Sequence, residues 1–547
     1  MKKISFLLLF VVVAACKKQP AVTIPVWEKY DQSPLVNDSQ KNESERMKYQ
    51  LVQSRVRDRN EIWKNIGNQL NDFSEKEYEE LHPLIFNQDI PTMQSHIVNG
   101  KLTYKKLTQW YLYRIVQFES DSSKFTNAVI SLNPNAVQEA IKKDKERGAL
   151  QHPIFGMPIL IKDNIGSDGM PTTAGAVAFL DNNAPDAFIV KQIKSKGGII
   201  LGKTNLSEWA NFLCGVCPNG YSAVGGQTLN AYGRGKIDTG GSSSGSGVAM
   251  AANYAAAAIG TETSGSILSP ASSSSLVGLK PTVGLLSRGG IVPISSTLDT
   301  PGPMTRNITD NAILLSAMTG EDPKDIATKN NPKDRIYFED LSGNSLSGIR
   351  FGAFKNFMED ELYQIAIEQI KTLGGEVIEF EAPKIELRKF LTLLNGDMFV
   401  DLPDYIENYA SEKVKVKNNA DVMMFNLQDS TKRSPYGQAR FEGVVNENVS
   451  KGELDVVRYF LHTEGKRYFE TPMDSLNLDA VLSINNYSAG FAAVAKYPAI
   501  TIPMGYAEGN QPAGITLIVR PFEEGKLLKM GYVYEQATKL RKPPIGY

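Results

Sequence analysis

The sequence is poor in histidine: its 547 residues include only four, His82, His96, His152 and His462, and none lies in a glycine- or serine-rich motif. A serine hydroxyl is a weak nucleophile that usually borrows a histidine as its base, so a serine–histidine apparatus has little to build on. Cysteine is scarcer still, with Cys16, Cys214 and Cys217 alone. Cys214 and Cys217 form one isolated C-x-x-C, and two thiols without two further ligands make no structural zinc site. Free thiols, a local disulfide and redox or metal chemistry remain open for this pair. An excess of charge is also missing, since 59 Lys and Arg face 60 Asp and Glu for a net charge of -1. The concentrated basic surplus that holds nucleic acid is therefore absent, and small neutral substrates fit the balance better. The sequence shows no internal repeat.

The amino terminus has Lys2 and Lys3 followed by an apolar run from Ile4 to Ala15, too short to span a bilayer as a helix and suited to a processing signal. Its end, Val13-Ala14-Ala15-Cys16, resembles the bacterial lipobox, in which the cysteine is lipidated and becomes the first residue. That resemblance implies a lipoprotein of the cell envelope, periplasmic or cell-surface, held to a membrane surface by acyl chains on Cys16. The expected organisation is a signal peptide over 1–15, a polar tether over 16–45, a helical segment over 46–89 and one large domain over 90–540. Within 46–80, Val52, Val56, Trp63, Ile66 and Leu70 recur at near-helical spacing and predict an amphipathic helix.

Beyond residue 90, strand and helix patterns alternate. Strands are expected at 128–132, 158–161, 199–201, 376–380, 479–483, 497–505 and 514–518, and helices at 134–147, 190–196, 305–320 and 524–540. The run Pro158 to Ile161 suits a strand buried on both faces and delivers Lys162 at its end. Residues 197–204, GGIILGKT, spell a phosphate loop. That loop needs its intervening residues to curl around phosphate, whereas Ile199-Ile200-Leu201 reads as buried strand. Gly202 to Glu208 reads as a strand end entering a helix. Residues 330–475 carry charged helices and no motif, a composition expected to shape a pocket.

The chain is organised around Gly240 to Thr282, where two Gly/Ser turns carrying Ser242 and Ser266 flank a run of small apolar residues. The apolar filling argues against a flexible linker. Buried glycine-rich turns suit a backbone that must approach a ligand and present its own N–H groups. Residues 241–245 also spell G-x-S-x-G, but the histidine that this elbow needs downstream is only His462, in a charged stretch.

Residues 240–246 (GGSSSGS), 260–271 (GTETSGSILSPA) and 278–282 (GLKPT), with Lys162 in a G-M-P-x-x-x-K-D-N context, resemble the amidase signature family. The resemblance implies an α/β fold with a mixed central sheet covered by helices on both faces. It also implies a Ser-Ser-Lys triad: Ser266 as nucleophile, Ser242 as bridge and Lys162 as base, with backbone N–H groups of Thr263, Ser264, Gly265 and Ser266 holding the oxyanion. No cofactor and no metal are expected. Two positions depart from the family pattern, Glu262 for the common Asp and Ser264 for a common Gly, and a side chain at 264 requires negative φ. Residues 203–212 (KTNLSEWANF) and 221–233 (YSAVGGQTLNAYG) are similar to bacterial peptide amidases and offer Asn211 and Gln227 as substrate contacts. The expected activity is hydrolysis of C-terminal peptide amides or simple carboxamides, with small-molecule or short-peptide substrates and no nucleic-acid partner. The alternatives are a glutaminase like the amidotransferase A subunit and a non-catalytic binding module on the same fold.

Overall fold

The computed structural model describes residues 21–64, 66–148, 151–333 and 335–547; Cys16 and the signal segment lie outside them. Among the described residues thirteen strands are formed: β1 Val129–Leu132, β2 Pro158–Lys162, β3 Ile199–Thr204, β4 Tyr221–Ser222, β5 Gly226–Gln227, β6 Ala257–Glu262, β7 Val277–Lys280, β8 Thr300–Thr305, β9 Arg350–Phe354, β10 Glu376–Phe380, β11 Ala480–Ile484, β12 Ala499–Tyr506 and β13 Pro512–Ile518. Eleven of them make one sheet in the order β1-β3-β2-β6-β8-β7-β12-β13-β11-β9-β10, and β4-β5 is a separate ribbon. The sheet is mixed. β3, β2 and β6 run parallel, β6 to β13 pair antiparallel, and β11, β9 and β10 are parallel again. Helices flank it: Ile308–Met318 packs on β8 and β7 beside Glu524–Thr538, while Ser244–Ala251 and Leu268–Ser273 pack on one another and on β6 and β7. The α/β architecture is the expected one.

The central strands are buried along their whole length, as their near-continuous apolar sequences require. The helix Ser244–Ala251 reaches the sheet because it is built of small residues. A Cβ on Gly245 would lie 2.4 Å from the Asn205 carbonyl oxygen and 2.6 Å from that of Ala128. The alanine-rich run that follows does not extend this helix. It turns at Asn253, where φ is 58°, and enters β6 as a strand between β2 and β8. Sheet packing there outweighs the helix propensity of alanine.

Three expectations are corrected. Residues 21–45, read as tether, lie on the domain: Trp27 is buried, meets Phe125 edge-on at 5.1 Å, and exchanges backbone hydrogen bonds with the Asn60 side chain. Residues 46–80 bury Val52, Trp63, Ile66 and Leu70 as their spacing suggests but form only short helical turns before Glu75–Ile85. Their backbone groups find distant partners instead: Gln32 accepts from Val52 and Gln53, and the Val52 carbonyl accepts from Gln227. Residues 208–211 do not begin a regular helix, because Trp209, Ala210 and Asn211 take φ of 51°, 55° and 74°. A run of left-handed backbone at bulky residues is costly and needs strong surrounding packing. Phe179, Tyr405 and Phe441 supply it around Trp209.

Because rigid backbone surrounds position 245, Gly245→Ala is expected to lower stability by about 1–3 kcal/mol through overpacking. Urea or thermal denaturation checks this, and an unchanged midpoint would show that the contact relaxes freely.

Candidate functional site

The site forms where parallel β2 and β6 end side by side, with Ile161 in register with Ile259. Lys162, the last residue of β2, is completely buried. Its Nζ stands 2.7 Å from Ser242 Oγ, 2.9 Å from Thr261 Oγ1 and 3.1 Å from the Thr261 carbonyl oxygen. No carboxylate is in salt-bridge contact with Lys162 among the described residues, and burial pulls its amine down to about 7, against partial support from Asp299 and Glu262. A neutral amine matches this surround: two hydrogens for the two oxygens of Thr261, and a lone pair for the Ser242 hydroxyl.

Ser242 is also completely buried. The Gly241–Ser242 peptide is cis. The Ser242 carbonyl accepts from Ser207 N–H at 3.1 Å, and the next residue, Ser243, donates its N–H to the Ser266 carbonyl at 3.1 Å. That bond ties the first Gly/Ser turn to the second. Ser243 Oγ adds a tie to β6, 3.1 Å from the Thr261 carbonyl and 3.2 Å from Thr261 N.

Ser266 is 8% exposed, at the end of the turn that leaves β6. Glu262 organises that turn, its Oε2 accepting from Ile267 N–H at 2.7 Å and Leu268 N–H at 3.0 Å. A carboxylate suits the amino-terminal end of the helix Leu268–Ser273. Ser264 keeps a negative φ, as a side chain there requires, and Gly265 takes φ of 89°. The N–H groups of Thr263, Ser264, Gly265 and Ser266 donate to no acceptor among the described residues, so four donors of one tight turn remain uncommitted. Thr263 itself is braced by Asp299, which also accepts from Ile294 and Ser295 N–H.

Thr261 and Asn164 were not singled out by the sequence. Thr261 Oγ1 accepts from Lys162 and also from Asn164 Nδ2 at 3.0 Å; the only signal was a hydroxyl residue after Gly260 in GTET. A second buried lysine, Lys203, lies one strand away and is engaged differently, 2.8 Å from Thr172 Oγ1, bonded to the Ile165 carbonyl and 3.8 Å from Asp163. This fixes Lys203 inside a strand and removes the phosphate-loop reading of 197–204.

The two residues expected as substrate contacts make hydrogen bonds within the protein. Gln227 is completely buried, and its amide donates to the Asn219 and Thr228 carbonyls at 2.7 and 2.9 Å, which makes it a brace of the β4–β5 ribbon. Asn211 is half-buried and its Oδ1 accepts from Arg46, which also grips the carbonyls of Gly215 and Cys217. Cys214 and Cys217 are joined by a disulfide. Among the described residues no histidine contacts Ser242, Ser266 or Lys162; His462, for example, pairs its Nδ1 with the Val494 carbonyl.

Comparison with known proteins follows the same lines. The family model described as Amidase matches residues 107–449. A probable amidase of Arabidopsis thaliana is 37% identical over 462 residues, covering 81% of this chain and 88% of that protein. An amidase family protein from Bacillus anthracis str. Ames superposes with a TM-score of 0.86 at 35% identity, over 90% of this chain and 99% of that one. The native peptide amidase from Stenotrophomonas maltophilia does so with a TM-score of 0.80 at 36% identity, over 84% of this chain and 98% of that one.

A base role for Lys162 requires its deprotonated amine, which burial favours near neutral pH. Labelling of Ser266 by a sulfonyl fluoride is expected to rise with pH through a midpoint near 7 and to fall about tenfold per unit below it. Mass spectrometry of the modified peptide against pH measures this, and a profile flat from pH 5 to 8 would remove Lys162 as the controlling group.

Proposed function

The chain belongs to the amidase signature family, and from that premise we propose that it hydrolyses linear carboxamides through an acyl-enzyme on Ser266, releasing ammonia. The observation that carries this reading is the 2.7 Å approach of the buried, depressed Lys162 amine to Ser242 Oγ. Ser266 Oγ attacks the amide carbonyl carbon and passes its proton to Ser242, which passes its own to Lys162 Nζ. The developing oxyanion takes the uncommitted N–H groups of the 263–266 turn. Lys162 then returns its proton through Ser242 to the departing nitrogen, the C–N bond breaks, and ammonia leaves. Water repeats the sequence on the ester and restores Ser266. A pure binding module has no use for a buried lysine amine, lowered toward neutral pH, within hydrogen-bond reach of a buried serine hydroxyl.

The substrates of this reading are C-terminal amides of short peptides and simple carboxamides, in keeping with the likeness to a protein titled a peptide amidase. An ammonia assay of the purified chain over peptide amides, aliphatic and aryl amides and free glutamine tests it. Turnover of peptide amides is expected to exceed that of glutamine, and Ser266→Ala is expected to lower it by several orders of magnitude. Activity confined to glutamine or dependent on a partner subunit would select the amidotransferase-like reading, and silence across the panel would select the binding module.

We further propose that Cys16 is the acylated first residue of the mature protein, which places the enzyme at the cell envelope. Because residues 21–45 pack on the domain, little chain separates that anchor from the folded surface. Mass spectrometry of protein from its native host is expected to find a mature chain starting at an acylated Cys16, and an unmodified chain starting at Met1 would overturn the anchor.

A further inference from the structure

A cavity of about 380 Å3 opens at the opposite edge of the sheet from Ser266. Register fixes its place. Glu262 pairs with Thr300 at the catalytic end of β6 and β8, and Ala258 pairs with Met304 toward the other end. Arg306, two residues further on, therefore lies about 20 Å from the catalytic turn, the length of a six-residue strand. Arg306 lines the cavity together with Asn87, Thr309, Glu535 and Arg541.

The two arginines come from separate parts of the chain and neither is paired with a carboxylate. Arg306 is 5% exposed and gives Nη1 to the Ala255 carbonyl and Nη2 to the Gln88 carbonyl. Its Nε is buried without an acceptor. Arg541 gives Nη1 to Asn87 Oδ1 at 3.0 Å, and both its Nε and its Nη2 are buried without an acceptor. Those two nitrogens form the side-on edge of a guanidinium, the edge that meets two oxygens of a carboxylate or phosphate at once. Burial pulls the Arg541 guanidinium down to about 10, as expected of a cation short of counter-charge.

The helix ends reinforce the sign of the cavity. Ile308–Met318 and Ile90–Val98 both begin beside it, since their capping residues Asn307 and Asp89 line it, and the amino-terminal end of a helix favours an anion. Two carboxylates line the cavity: Asp89, whose Oδ1 accepts from Thr92 N–H, and Glu535, which accepts from Ile308 N–H. Burial pushes Glu535 up to about 8, which favours its protonated form, and Asp89 caps Thr92 N–H without bonding either guanidinium, so the three cations Arg306, Lys539 and Arg541 outnumber the carboxylates of the lining.

We propose that this cavity is a binding site for a small oxyanion of the phosphate or carboxylate class, gripped on the Nε–Nη2 edge of Arg541 with Arg306 beside it. The site is independent of amide hydrolysis and would act as a stabilising or regulatory ligand site remote from the nucleophile.

The test uses the full purified chain, titrated with inorganic phosphate and separately with acetate, each against sodium chloride at equal ionic strength. At least one oxyanion is expected to raise Tm saturably above the chloride control, and the anion that does so identifies the class. Arg541→Met is expected to lose that rise while keeping Ser266 labelling, and Arg541→Lys, which keeps the charge but not the two-nitrogen edge, to weaken binding about tenfold. Hydrogen exchange on the unaltered protein localises the effect without any variant, with protection expected in 306–311 and 535–541. The proposal fails if neither anion stabilises beyond chloride, if Arg541→Met responds like the unaltered chain, or if protection appears elsewhere.

Discussion

The structure depends on keeping one lysine amine out of water and away from any carboxylate. Moving Lys162 from 10.5 to about 7 disfavours its ammonium form by roughly 5 kcal/mol, at about 1.4 kcal/mol per pH unit. Burial alone sets that sign, and the sheet provides the burial. β2 is the third strand from one edge of an eleven-stranded sheet, covered on its sides by β3 and β6. The groups that Lys162 does meet are a carbonyl and two hydroxyls, enough to satisfy a neutral amine and too weak to hold a full charge. Everything else at the site, from the small-residue helix to the two Gly/Ser turns, lets backbone come close enough to seal this pocket.

That sealing explains the composition of the central stretch. A helix of larger residues could not bring Ser242 over the end of β2, because at position 245 even a methyl group would meet the backbone of Asn205 and Ala128. The second turn is different. Its 263–266 N–H groups meet no acceptor among the described residues, while Glu262 takes the following two, those of Ile267 and Leu268. The carboxylate at 262 thus caps a helix beside the uncommitted 263–266 donors, and its extra methylene over the usual Asp is accommodated without drawing it to Lys162.

Much of this was legible in sequence because the informative residues are local. Continuous apolar runs marked β2, β3 and the carboxy-terminal strands, and Lys162 at the end of one such run was conspicuous. The rest was set by distant partners. The run Val248 to Ile259 reads as one helix, yet its second half is claimed by β2 and β8, neither adjacent in sequence. Gln227 looked like a polar group near a site, and its Nε2 donates to the Asn219 and Thr228 carbonyls while its Oε1 stays buried without a donor, a placement that no spacing rule reveals. The amphipathic pattern of 46–80 predicted burial correctly and helix wrongly, since side-chain periodicity says which residues go inside and not which groups satisfy their backbone. β9 escaped notice although Gly343 and Gly348, both at positive φ, mark turns just before it, because its five residues Arg350–Phe354 hold a short apolar run among long polar stretches.

The proposed base role fits Lys162 and not its buried neighbours. Three lysines are completely buried in or beside the central strands: Lys162, Lys203 and Lys280. Burial lowers all three, the last two to about 8. Lys203 has Asp163 at 3.8 Å, and that carboxylate returns part of what burial removes. Lys280 feels Glu262 and Glu524 and donates only to the Pro281 carbonyl. Neither touches Ser242 or Ser266. Proton acceptance by a side chain requires both a free lone pair at working pH and a hydroxyl within reach. Lys162 alone among the three combines the lowest affinity for its proton with a 2.7 Å approach to a serine, and the register of β2 against β6 is what aligns those two properties on one residue.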